Sequence, residues 1–121
     1  MMVTTNLTTN VRKVNDKVSI IDISGEITRH AEERLSAAFE EASNNGVQTI
    51  LLNFAEMEYM NSSGIGLLIM LLIRAQRQGQ QLMAYGLREH YAQIFELTRL
   101  NEAIQVYDSE DDALKAAAVT P

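Results

Sequence analysis

The sequence predicts a single α/β domain, a mixed but mostly parallel sheet of about five strands with about four helices, ordered β-β-α-β-α-β-α-β-α. Three observations carry that expectation. Short apolar runs of strand length alternate with longer stretches whose apolar residues recur at helical spacing. Turn and cap signals separate them: Asn15-Asp16, Ser24-Gly25, Asn44-Asn45-Gly46, Gly79 and Gly86. The only proline is Pro121, and apart from a threonine-rich start no linker, repeat or low-complexity region divides the chain. One domain over residues 1–121, with a core of about 7–118, is the expected organisation.

Each element has its own signal. Residues 7–13 form a weak first strand carrying Leu7, Val11 and Val14 beside it, and 18–23 a strongly apolar second strand ended by Ser24-Gly25. The turn between them makes a hairpin. From Arg29 onward Ala31, Leu35, Ala38, Phe39 and Ala42 share one helical face, with Glu32, Glu33, Glu40 and Glu41 largely off it. Residues 47–54 are the next strand, and Ile50-Leu51-Leu52 is apolar without alternation, as for a central strand covered on both faces. A loop over 55–60 leads into a helix running to about Gln78. A strand over 81–85, a helix from Arg88 to about Leu100 with Tyr91, Ile94, Phe95 and Thr98 on one face, and a short strand over 104–107 follow. Ser109 caps a last helix whose Glu110-Asp111-Asp112 start suits the helix dipole and whose Leu114 and Ala117 face inward.

Composition narrows the function classes. Hydrophobic residues at 46% and charged residues at 21% describe a soluble globular domain. Ten basic against sixteen acidic residues, a net charge of −6, argue against nucleic acid as a partner. The absence of cysteine excludes disulfides and thiolate metal sites. The first ten residues lack the order of a signal peptide, and the apolar run over 65–73 is too short for direct membrane insertion, so a cytoplasmic protein is expected. His30 and His90 have no partner at metal spacing, Glu56 and Glu58 read as solvated loop charges, and no Gly-x-x-x-x-Gly-Lys loop is present. No catalytic residue, metal or cofactor is implied.

The informative stretch is Met60-Asn61-Ser62-Ser63-Gly64-Ile65-Gly66-Leu67, between an apolar strand and the longest apolar run in the chain. Asn61 or Ser62 is the expected N-cap, with Ser63 in the first turn, where unpaired N–H groups and the dipole favour negative charge. The two glycines would let another surface approach closely. From spacing alone, Ser62 and Ser63 read as capping residues. In the helix that follows, positions 65, 68, 69, 72 and 73 form a stripe expected to pack on the sheet. Leu67, Met70 and Leu71 form a second stripe with two readings: packing against a neighbouring helix, or an exposed apolar patch that marks a protein interface, a homodimer contact included. The methionines near the motif read as core filler, with Met60, next to the cap, the one to watch.

Asn61-Ser62-Ser63-Gly64-Ile65-Gly66 resembles the Asp-Ser-Ser-Gly-Leu-Gly motif of the STAS domain of bacterial anti-sigma factor antagonists. The likeness extends over nearly the whole chain. Ser24-Gly25-Glu26-Ile27 is similar to the family's Gly-x-Leu-Asp segment, and Phe95-Glu96-Leu97-Thr98-Arg99-Leu100 to its Leu-x-x-Thr-Gly-Leu segment. The resemblance implies a partner switch without enzymatic activity. The unmodified protein binds an anti-sigma factor that is also a serine kinase, phosphorylation of the second motif serine releases it, and a serine phosphatase resets the cycle. That serine falls on Ser63, with Ser62 the lesser candidate, and residues 60–67 form the contact surface. Three positions depart from the family pattern: Asn61 and Thr28 stand where aspartates are usual, and Asn53 replaces an acidic residue. The rival reading is a non-catalytic STAS subunit of another assembly, such as a lipid-transport or regulatory complex, indifferent to phosphorylation. A small nucleotide-binding enzyme is the third reading, against which the missing phosphate loop counts.

Overall fold

The computed structural model describes residues 6–119, the side chain of Val119 excepted. Five strands form one sheet in the spatial order β1-β2-β3-β4-β5, with β1 Leu7–Lys13, β2 Val18–Ile27, β3 Thr49–Met60, β4 Gln81–Tyr85 and β5 Gln105–Tyr107. The β1–β2 hairpin is antiparallel and every other pair is parallel. The helices are α1 Glu32–Ala42, α2 Ser62–Arg77, α3 Glu89–Leu97 and α4 Glu110–Val119. The mixed α/β architecture and element order expected from the sequence are therefore observed.

A sheet whose strand order advances steadily in one direction, joined by right-handed crossovers, puts its connecting helices on one face. Here α1, α2 and α3 bury Leu35, Phe39, Leu68, Leu71 and Phe95 against Ile21, Ile50, Leu52 and Phe54. The opposite face carries a smaller cluster in which Ala113 and Ala117 of α4 cover Ile20, Leu51 and Met83. Leu51 faces α4 and its neighbours Ile50 and Leu52 face the other side, so an unbroken apolar run is what this strand needs. Phe54 and Phe95 meet edge to face at 6.4 Å, and the Arg74 guanidinium lies 4.9 Å over the Phe39 ring.

The structure corrects several boundaries. Strand β2 continues to Ile27 and β3 to Met60, where the sequence signals a stop at Ser24-Gly25 and a loop over 55–60. The two extensions pair with each other beyond the end of β4, and two register shifts, between Asp22 and Ser24 and between Gly25 and Glu26, absorb the irregularity. Gly25 is needed there as a glycine: its φ is +103°, and a Cβ would run into the Asn6 carbonyl. Helix α3 ends at Leu97, followed by left-handed Arg99 and a short 3-10 turn over Leu100–Glu102.

The stripe expected on the sheet is also rotated. Helix α2 buries Gly64, Leu67, Leu68, Leu71, Leu72 and Ala75, whereas Ile69 and Ile73 are 41% and 43% exposed. Leu67 and Leu71, from the second stripe, thus belong to the core, and Met70 is partly buried against it. With apolar residues all round the helix, periodicity alone cannot say which side meets the sheet.

Candidate functional site

The C-terminal ends of parallel strands are where an open α/β sheet presents its loops. Here the extended β2–β3 pair delivers the 3-10 turn Arg29–Ala31 and the start of α2 to the same place. Asn61, with extended backbone, is the N-cap of α2, and its Oδ1 accepts from the Gly64 amide at 3.0 Å. Of the two candidate caps the structure selects Asn61. Ser62 and Ser63 then occupy the first turn, both exposed, with no acidic residue beside them in that turn.

The two glycines have different surroundings. Gly64 is buried, and a Cβ there would meet the Ile27 carbonyl oxygen and the Met60 side chain. The close approach at Gly64 is thus made by the protein's own β2. Gly66 is exposed and a Cβ would meet nothing, so this glycine leaves the outer face of α2 open. Met60 and Leu67 are buried, at 4% and 8% exposure, and Ile65 is half-buried. The accessible part of the expected surface is therefore Ser62, Ser63 and Gly66 with edges of Asn61 and Ile65. Ile69 and Ile73 continue it down the helix, two positions that the sequence reading assigned to the sheet.

Behind this surface the main-chain amide of Met60 donates to the Tyr91 hydroxyl at 3.1 Å, fastening the end of β3 to α3. Ser63 also lines an open polar pocket of about 290 Å³ with Glu26, Thr28, Arg29, His30 and Asn61. Sequence reasoning did not connect Arg29 or His30 with the serines, which lie far along the chain. The available signal was topological: both segments follow adjacent parallel strands.

The three departures from the family motif each have a local partner. Asn61 caps α2. Thr28 Oγ1 accepts from the His30 amide at 3.3 Å and so caps the 3-10 turn. Asn53 donates through Nδ2 to Asp22 Oδ1 at 2.8 Å, a bond that an ionised carboxylate at position 53 cannot donate.

Asp22 belongs to a second polar cluster, on the α4 side. Arg12 bonds Asp22 through Nε and Nη2 at 2.7 and 2.8 Å and reaches Glu110 Oε1 at 2.8 Å; the Tyr85 hydroxyl donates to the same Glu110 oxygen at 2.7 Å. Burial pushes the Asp22 carboxyl up, but hydrogen bonds from Arg12, Asn53 and Asn10 prevail and hold it below the usual carboxylate range. Hydrogen bonds from Arg12 and then Tyr85 hold Glu110 down as well. Burial and the bond to Glu110 raise the Tyr85 hydroxyl. The cluster clamps α4 onto the sheet. Every one of its charges is answered, which marks it as structural.

The comparisons with known proteins agree with the fold. The family model described as the STAS domain matches residues 10–113. The chain belongs to the STAS domain family. Among curated proteins, this STAS domain is 23% identical to the anti-sigma-B factor antagonist of Staphylococcus aureus over 96 residues, covering 79% of this chain and 89% of that one. Among solved structures, an anti-sigma factor antagonist from Mycobacterium paratuberculosis matches at 25% identity and a TM-score of 0.73, covering 93% of this chain and 94% of the other. The anti-sigma factor antagonist SpoIIAA matches in two forms. The unphosphorylated form gives a TM-score of 0.73 at 21% identity, covering 93% and 100%. The phosphorylated Bacillus form gives 0.69 at 22%, covering 90% and 98%. Among the described residues, no helix is long and apolar enough to cross a membrane.

Proposed function

We propose that this STAS domain is an anti-sigma factor antagonist in a cytoplasmic partner-switching pathway, a regulator and not an enzyme. Its partner is an anti-sigma factor with serine kinase activity, and Ser63 is the phosphoacceptor. The observation that carries this reading is the exposure of Ser63 at the head of α2, where an accessible strip of Ser62, Gly66, Ile69 and Ile73 begins. In the transfer, Ser63 Oγ forms a bond to the γ-phosphorus of ATP as the bond to ADP breaks, and the hydroxyl proton passes to a base of the kinase.

The physical switch follows from where the charge lands. A phosphoserine adds roughly −1.5 to −2 charge near neutral pH. At a helix N-terminus the dipole and first-turn amides accommodate it, so the domain stays folded. Pressed into an interface beside Gly66 and Ile69, the same group must be desolvated, and the complex separates. A serine phosphatase then restores the binding form. The likeness to SpoIIAA in both its forms supports a fold that tolerates the modification.

The test is phosphopeptide mapping after incubation with the candidate kinase and ATP, alongside the Ser63→Ala variant. Phosphate on Ser63, absent from the variant, is the expected result. Efficient binding with no modification at Ser63 would instead favour a constitutive STAS subunit.

A further inference from the structure

The polar pocket beside Ser63 has a wall carrying the Arg29 guanidinium that the switch described above does not use. Arg29 and His30 stand in the 3-10 turn after β2, both exposed, and line the same 290 Å³ space as the Ser63 side. That volume is several times the roughly 30 Å³ share of one liquid water, enough for a phosphoryl group. The two positions where the family pattern puts aspartates, 28 and 61, hold neutral Thr28 and Asn61, and both line this pocket. Glu26 is the one carboxylate among the lining residues, and the first turn of α2 contributes none.

We infer that Arg29 is the in-chain counter-cation of a phosphate on Ser63, with His30 as a further donor, so that the phosphorylated form carries its charge as an internal ion pair. A guanidinium presents a planar fork of donors that matches phosphate oxygens two at a time. The Oγ-linked phosphate would stand at the mouth of the pocket, where the long Arg29 side chain can fold over it. Pairing favours the dianion over the monoanion, and Glu26 opposes it from β2. The consequence is regulatory: the phosphorylated state is stabilised by the domain itself before any phosphatase or partner acts.

This inference rests on Ser63 as the acceptor, and its test is separable from the partner switch. The full chain is made with phosphoserine installed at position 63 during translation, and the phosphate is titrated by phosphorus NMR in the folded protein and in denaturant. The folded midpoint is expected roughly one unit or more below the ordinary value near 6. Arg29→Gln should return it upward by about half a unit or more, and Glu26→Gln should lower it further. Arg34→Gln, on α1 and outside the pocket, should leave it in place. A midpoint unmoved by Arg29→Gln, or moved equally by Arg34→Gln, overturns the assignment. A phosphorylated protein that keeps the low midpoint yet still binds its partner would defeat the switch and leave this ion pair standing.

Discussion

The carbonyl oxygen of Ile27 occupies the space where Gly64 would carry a Cβ. This contact seats the first turn of α2 on the end of β2, and the Asn61 amide reaches the same carbonyl at 3.4 Å. The position of Ser63 therefore depends on a glycine one residue away that never reaches the surface.

Gly64→Ala is expected to cost about 1–3 kcal/mol, because the obstacle is main chain and cannot swing aside. Gly66→Ala, on the open face, should be neutral or stabilising by up to about 1 kcal/mol through helix propensity. Urea unfolding of the two variants checks the contrast, and equal losses would contradict it.

Asn61→Ala removes the cap on α2 and should cost about 1 kcal/mol, with Asn61→Asp near wild type in stability. Asn61→Asp restores the residue usual in the family, so its rate of phosphorylation at Ser63, measured beside wild type, shows whether that carboxylate matters to the kinase.

Tyr91→Phe strips the acceptor from a buried Met60 amide. The expected loss is about 1–2 kcal/mol, read from the thermal or urea transition, with the serine surface unchanged.

The Arg12 cluster sets an acid limit. Asp22 and Glu110 are held below their ordinary range when folded, so the unfolded chain binds more protons as pH falls. Their contribution is complete above the unfolded value near 4 and is lost as pH drops further, through the folded values. Unfolding free energy should be level from neutral pH to about 5 and decline below it. Arg12→Ala, discounted for the partial exposure of the pairs, should cost about 1–2 kcal/mol at pH 7 and flatten that decline.

Much of this was legible in the chain. Helix α1 buries Leu35, Ala38, Phe39 and Ala42 as their spacing requires, because its polar and apolar faces are distinct. The start of α2 was legible too, since Asn61 to Gly66 carries both cap and motif, although the capping falls to Asn61 and not to the serines. Helix α2 was not oriented correctly, because Ile65 to Ile73 is apolar on every side and only tertiary contact chooses the buried one. The extensions of β2 and β3 were hidden by Gly25 and by Glu56 and Glu58, residues that read as a turn and a loop until the strands pair. Arg29 and His30 joined the site only through topology.

Exposed Ile69 and Ile73 supply the apolar part of the surface that the serines lack. Ile69→Ser with Ile73→Ser should change stability by less than about 1 kcal/mol, whereas Leu68→Ala, fully buried, should cost about 2–5 kcal/mol. The same double variant should weaken partner binding at least tenfold; undiminished affinity would move the contact off this face.

The most direct measurement is calorimetric titration of the kinase-type anti-sigma partner with two forms of the domain, unmodified and phosphorylated at Ser63. Tight binding of the first is expected, and affinity lower by roughly thirtyfold or more for the second, the cost of desolvating a bulky charged group in the interface. Equal affinity of the two forms would contradict the switch.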